Sequence, residues 1–187
     1  MENLYGLPSR WVFLLQTSLK RQKAKAWGVF FAAAGLLLAL DLWVKYWASS
    51  HLLGQPGRVF IPGVLGLTFT RNTGAAFGML GNLTHSQWIL AGLKVVIMLG
   101  LLWFYHQMPL DKKSWLLRVP LILVFAGGMG NLYDRLVYGY VRDMLEFLFM
   151  RFAIFNVADI YVTVGVFFAA GIVLTVYREI LEEPKQK

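Results

Sequence analysis

Hydrophobic positions along this chain fall in long runs, and polar positions collect between them. Four runs approach the roughly 20 apolar residues that a membrane-crossing helix needs. They extend from about Trp27 to Trp47, from about Gln87 to His106, from about Leu117 to Tyr138, and from near Ile154 through the uncharged stretch Ile160–Tyr177. The first is too long for a cleaved leader and carries Asp41 and Lys45 where a small-residue cleavage site belongs. Between the first two runs, residues 48–86 are rich in turn formers, including Gly54, Pro56, Gly57, Pro62, Gly63 and Gly66. Within them, Val59–Ile61 and Leu65–Thr70 read as short strands, the second alternating Leu65, Leu67 and Phe69 with Gly66, Thr68 and Thr70. Residues 139–153, between the third and fourth runs, read as a short aromatic loop.

Composition agrees with a bilayer as solvent. Hydrophobic residues make up 58% and charged residues 15% of the 187, against about 25% charged in average soluble chains. The mean hydropathy is +0.57. The absence of cysteine excludes a disulfide scaffold, a thiolate metal site and a cysteine nucleophile. The net charge of +8 reads as orientation rather than nucleic-acid binding. Arg10, Lys20, Arg21, Lys23, Lys25, Lys112, Lys113, Arg118, Arg178, Lys185 and Lys187 fall on one side, and Arg58, Arg71, Arg142 and Arg151 on the other. Both termini are therefore expected in the cytoplasm. The expected fold is a membrane all-α protein: four transmembrane helices, a small extracytoplasmic β-sheet over about 48–86, and a short external loop. Residues 1–26 form a basic N-terminal segment, either an interfacial amphipathic helix or a disordered arm; 27–178 form the membrane domain and 179–187 the tail.

The informative residues are the acids within or beside the spans. Asp41, Asp134, Asp143 and Asp159 all converge on the outer ends of the predicted helices. A charge placed in hydrocarbon costs at least about 2.5 kcal/mol and usually faces a protein interior. Asp41 and Lys45 are spaced i, i+4, acid first, as an ion pair requires. Asn131 and Asp134, and again Asn156 and Asp159, are i, i+3 and share a helix face. Arg135 adjoins Asp134 and is expected to neutralise a carboxylate. Gly127, Gly128 and Gly130 open one face of the third helix to a neighbour or a substrate. Scattered histidines and the lack of HExxH and GxSxG motifs leave aspartyl chemistry as the natural use of paired acids. Two close carboxyls share a proton, and burial holds it more tightly. Spacing alone does not say which two acids pair. The cation beside Asp134 favours a structural role for it, and Asp143 and Asp159 flank one external turn. Rival readings are a transporter or proton channel, which Lys94 in the second helix suits, and a non-catalytic scaffold.

Five blocks make the chain resemble the signal peptidase II family of bacterial intramembrane aspartic proteases. They are Asp41-Leu42-Trp43-Val44-Lys45, Arg71-Asn72-Thr73-Gly74-Ala75-Ala76-Phe77, Gly127 through Arg135, Val141-Arg142-Asp143, and Phe155-Asn156-Val157-Ala158-Asp159. The resemblance implies catalysis by Asp143 and Asp159. It implies substrate-binding or bracing roles for Asn72, Gly74, Asn131, Asp134, Arg135, Asn156 and Ala158, and a structural or orienting role for Asp41 and Lys45. It implies removal of signal peptides from prolipoproteins, by cleavage before a diacylglyceryl-modified cysteine, at the outer leaflet of the bacterial cytoplasmic membrane. No metal or cofactor is implied. The expected partners are that lipidated precursor and membrane lipid, with no nucleic acid, and the chain is expected to act as a monomer. Arg142, beside Asp143, either lowers the acid's pKa or points away to lipid phosphates.

Overall fold

The computed structural model describes residues 9–74 and 86–182. Four helices run antiparallel in sequence: α1 (Ser9–His51), α2 (Ser86–Gln107), α3 (Lys112–Tyr138) and α4 (Val157–Glu182). All four are long and apolar enough to cross a membrane. Strands β1 (Arg58–Ile61), β2 (Leu65–Asn72) and β3 (Val141–Phe147) form one antiparallel sheet in that order. The helices are wrapped around α3, which touches each of the other three. Away from the sheet, Phe30, Ala34, Tyr105, Met108, Ile122 and Ala126 pack into one cluster. Tyr105 Oη donates to the Ala26 carbonyl at 2.8 Å, which satisfies a phenol that burial would otherwise leave unpaired. Outward-facing positions are greasy instead: Leu36, Phe167 and Leu174 are each more than 70% exposed, as lipid contact allows.

Helix α1 corrects the reading of the N-terminal segment. Residues 9–26 belong to the same continuous 43-residue helix as the first span, neither a separate in-plane helix nor a disordered arm. At 1.5 Å per residue it is roughly 64 Å long, about twice the hydrocarbon core. Nothing between Ser9 and Lys25 breaks it: there is no Pro or Gly, and a formed helix extends at little cost. Residues 1–8 lie outside the described part, as do Ala75–Phe77 of the second block and residues 183–187.

The second correction concerns the loop between α3 and α4. Gly139 ends α3 in the left-handed conformation (φ 77°), and its N–H donates to the Arg135 carbonyl at 3.1 Å, a glycine-specific stop. The chain then reverses into β3 rather than forming a loop. Pairing with β2 makes Val141–Phe147 a strand, and its first four residues are all buried. Met144 packs with Ala48 of α1 and with Leu52 just beyond it, so the sheet is bolted to the bundle. Phe155, beyond β3, exchanges backbone hydrogen bonds with Leu145 at 2.8 and 2.9 Å. This bridge sets the start of α4 beside β3.

Candidate active site

The sheet end of the bundle holds a buried polar cluster drawn from five segments. Lys45 on α1 is fully buried, and its ammonium lies 2.9 Å from Asp41 Oδ2, 2.9 Å from Asn131 Oδ1 and 3.5 Å from Asp134 Oδ2. The expected Asp41–Lys45 pair is thus present, and it reaches further. Asp41 Oδ1 accepts the Ala158 N–H at 2.8 Å, which puts a carboxylate on the electropositive start of α4. Space for it comes from Gly130: a Cβ there would overlap the Asp41 carboxylate. At Gly127 a Cβ would meet the Ala158 carbonyl and the Val162 side chain. One glycine therefore admits a carboxylate and the other admits helix α4.

Asp134 takes its hydrogen bonds from a residue other than its neighbour Arg135. Its oxygens accept from Arg142 instead, at 2.7 Å from Nη2, 3.1 Å from Nε and 3.0 Å from the backbone N–H. Residues adjacent on a helix project about 100° apart, whereas the turn at Gly139 brings Arg142 back over Asp134. The Arg142 guanidinium is also stacked on Tyr138, 4.4 Å from the ring centre. Arg142 is 4% exposed, which excludes a reach to lipid phosphates. Arg135 Nη2 donates to the Gly74 carbonyl at 3.0 Å, pinning the chain where it leaves β2.

Asp143 and Asp159 meet through asparagines. Asn156 caps α4: its Oδ1 accepts the Asp159 N–H at 3.0 Å, and Asp159 Oδ2 accepts the Asn156 N–H at 3.1 Å. This is a reciprocal capping box, and it explains the i, i+3 spacing. The Asn156 Nδ2 donates to Asp143 Oδ1 at 2.5 Å and to Asn131 Oδ1 at 3.1 Å. Asn131 Nδ2 donates to Asp159 Oδ1 at 2.7 Å. Asn72 completes the set, donating to Asp143 Oδ2 at 2.9 Å. The strand register pairs Asn72 with Val141 and Thr70 with Asp143, so Asn72 and Asp143 are diagonal neighbours on one sheet face. Each asparagine amide is oriented by what it accepts and what it donates.

Burial is the first cause that pushes the Asp143 carboxyl up to about 6; the nearby Asp159 charge adds to it. Hydrogen bonds from Asn72 and Asn156 and the Lys45 charge act in the opposite direction. The Arg142 guanidinium is turned toward Asp134 instead. Asp143 is 1% exposed, while the half-buried Asp159 opens on a cavity of about 600 Å³. Asn72, Asn131 and Arg135 line its polar end, and Leu90, Ile97 and Val164 of α2 and α4 its apolar side.

All eleven residues expected at the site are gathered at this end of the molecule. The Asp134–Arg142 pair and the Asn72–Asp143 bond were not anticipated, because both depend on β3. The sequence of β3, with Arg142 and Asp143 adjacent and then Met144 and Leu145, carries no alternation that would mark it as a strand.

Comparison with known proteins points to one family. A family model described as signal peptidase (SPase) II matches residues 33–175. A lipoprotein signal peptidase of Streptococcus thermophilus is 44% identical over 130 residues, 70% of this chain and 82% of that protein. One from Streptococcus pyogenes is 41% identical over 138 residues, 74% and 88% respectively. A solved bacterial membrane enzyme superposes with a TM-score of 0.69 at 25% identity, covering 86% of this chain and 94% of that one. The match of a family model over residues 33–175, together with relatives 41–44% identical, places this multi-pass membrane protein in the signal peptidase II family of proteases.

Proposed function

We propose that this protein removes signal peptides from diacylglyceryl-modified prolipoproteins, cutting the peptide bond before the lipidated cysteine, with Asp143 and Asp159 as the catalytic pair. The observation that carries the reading is the linkage of these two carboxyls through Asn156, beside a cavity that is apolar along α2 and α4. A lipidated precursor lies in the bilayer, and such a cavity accepts its chain from the side.

The chemistry follows from the two environments. Asp159, open to the cavity, takes a proton from water. Burial favours the neutral form of Asp143, whose O–H polarises the scissile carbonyl. Water's oxygen bonds to the carbonyl carbon, the C–N bond breaks, and the cysteine nitrogen leaves with the proton held by Asp159. Asn131 and Asn156 hold Asp159, and Asn72 and Asn156 hold Asp143. Asp41, Lys45, Asp134 and Arg135 brace the segments that carry these groups. Ala158, fully buried, presents the N–H that Asp41 accepts, and Gly74 presents the carbonyl that Arg135 grips.

The Lys and Arg asymmetry supports cytoplasmic termini and a site facing the outer leaflet of the cytoplasmic membrane. The packed cluster around Phe30, Tyr105 and Ile122 fills the opposite half, which disfavours a transport path. The test is cleavage of a diacylglyceryl-cysteine precursor by the purified protein in lipid. The parent cleaves; Asp143→Asn and Asp159→Asn, folded and inserted, do not. Turnover by either variant removes that residue from the pair.

A further inference from the structure

Lys94 on α2 is left over from the mechanism above. It lines the same cavity as Asp159, Asn131 and Arg135. Helix α3 fixes its level. On one side of α3, Gly128 faces Met98, whose Sδ a Cβ would meet at 3.3 Å; on the other, Gly127 faces Ala158 and Val162. Met98 of α2 and Val162 of α4 are therefore level. One turn nearer the sheet stand Lys94 on α2 and Ala158–Asp159 on α4. Lys94 and Asp159 thus occupy opposing walls of the cavity at one depth.

The surrounding charges are already engaged. Lys45 is held by Asp41 and Asn131, Arg142 by Asp134, and Arg135 by the Gly74 carbonyl. Among the described residues, Lys94 makes no hydrogen bond or ion pair, and Leu90, Leu93 and Ile97 flank it on the cavity wall. An ammonium in apolar surroundings is costly without an anion. The proposed reaction makes one at this depth: hydrolysis leaves an ammonium on the cysteine and a carboxylate at the end of the signal peptide. That carboxylate arises beside Asp159, whose own charge repels it once its proton has gone to the leaving amine.

We propose that Lys94 binds the newly formed α-carboxylate of the released signal peptide, a role that rests on the peptidase reading. Lys94 is then a product-binding residue that draws the cut end across the cavity, away from Asp143 and Asp159.

The test uses a synthetic signal peptide ending one residue before the cysteine, made as the free acid and as the amide. Each is assayed as an inhibitor of precursor cleavage in vesicles of zwitterionic lipid. The parent is expected to bind the acid about tenfold more tightly, as a charge-assisted hydrogen bond allows. Lys94→Met and Lys94→Gln lose the preference, and Lys94→Arg keeps it. A preference that survives in Lys94→Met overturns the proposal. So does equal weakening of acid and amide, which would mean a contact with a backbone carbonyl. Loss of the parent's preference on adding anionic phospholipid would make a lipid phosphate the resident anion instead, and overturns it too. A parent that cleaves the precursor but binds acid and amide alike overturns this inference alone; one that does not cleave overturns the function with it.

Discussion

Asn156 donates through one nitrogen to Asp143 while its carbonyl oxygen holds the backbone of Asp159. A single side chain therefore fixes the spacing of the two acids and starts the helix that carries one of them. Asn156→Ala is expected to lower the cleavage rate on the order of a hundredfold, within the range of acid–base contributions. It also removes a helix cap worth about 1 kcal/mol. Cleavage kinetics together with thermal unfolding in detergent separate the two losses.

Asp143 yields a pH prediction. Its pKa rises from the ordinary 3.8 to about 6 on folding, so the folded protein prefers the neutral acid. The burden is absent below the unfolded pKa, grows between about pH 4 and pH 6, and is complete above that. It amounts to about 3 kcal/mol. Asp143→Asn carries no such charge. Its stability relative to the parent should therefore rise between pH 4 and pH 8 by up to that amount. A pH-independent difference in unfolding free energy would contradict this.

Arg142 and Asp134 should behave as one unit. Removing Asp134 leaves the Arg142 guanidinium buried and unpaired, which costs about 3–5 kcal/mol; removing Arg142 should cost less, because the Lys45 ammonium stays 3.5 Å from Asp134. Arg142→Lys should not rescue, since Asp134 receives two guanidinium nitrogens and an ammonium offers no such fork. A double-mutant cycle should show strong coupling between them.

Gly127→Ala should lower stability by about 1–3 kcal/mol through overpacking against the Ala158 carbonyl. Gly171→Ala, with nothing within 4 Å of its Cβ, serves as the matched control and should leave unfolding unchanged or slightly stabilised.

How far the sequence could be read depended on the range of each interaction. The four spans and the Asp41–Lys45 pair are local: apolar runs and an i, i+4 spacing state them outright. The Asn156–Asp159 spacing marked a shared helix face, although its capping function appears only once α4 is seen to begin at Val157. Arg135 adjoins Asp134 in sequence, but neighbours on a helix project about 100° apart, so adjacency does not reveal which side chain hydrogen-bonds the acid. The residue that does so, Arg142, comes back through the left-handed Gly139 and a strand that needs β2 to exist. Asp143 likewise meets Asn72 only through the sheet register. Lys94 was visible as an anomaly in the second span, but the cavity it faces is made by other helices.

The Asp41–Lys45 pair has a bearing on how the protein is made. Helix α1 emerges first during synthesis, while Asn131, Asp134 and Ala158, which later surround the pair, are still untranslated. In the interval its acid and base sit one turn apart and cancel each other's charge. The membrane-crossing part of α1, residues 27–47, can thus enter the bilayer with no net charge and wait there. The same two side chains that finally organise the site serve, earlier, as α1's own permit to reside in lipid.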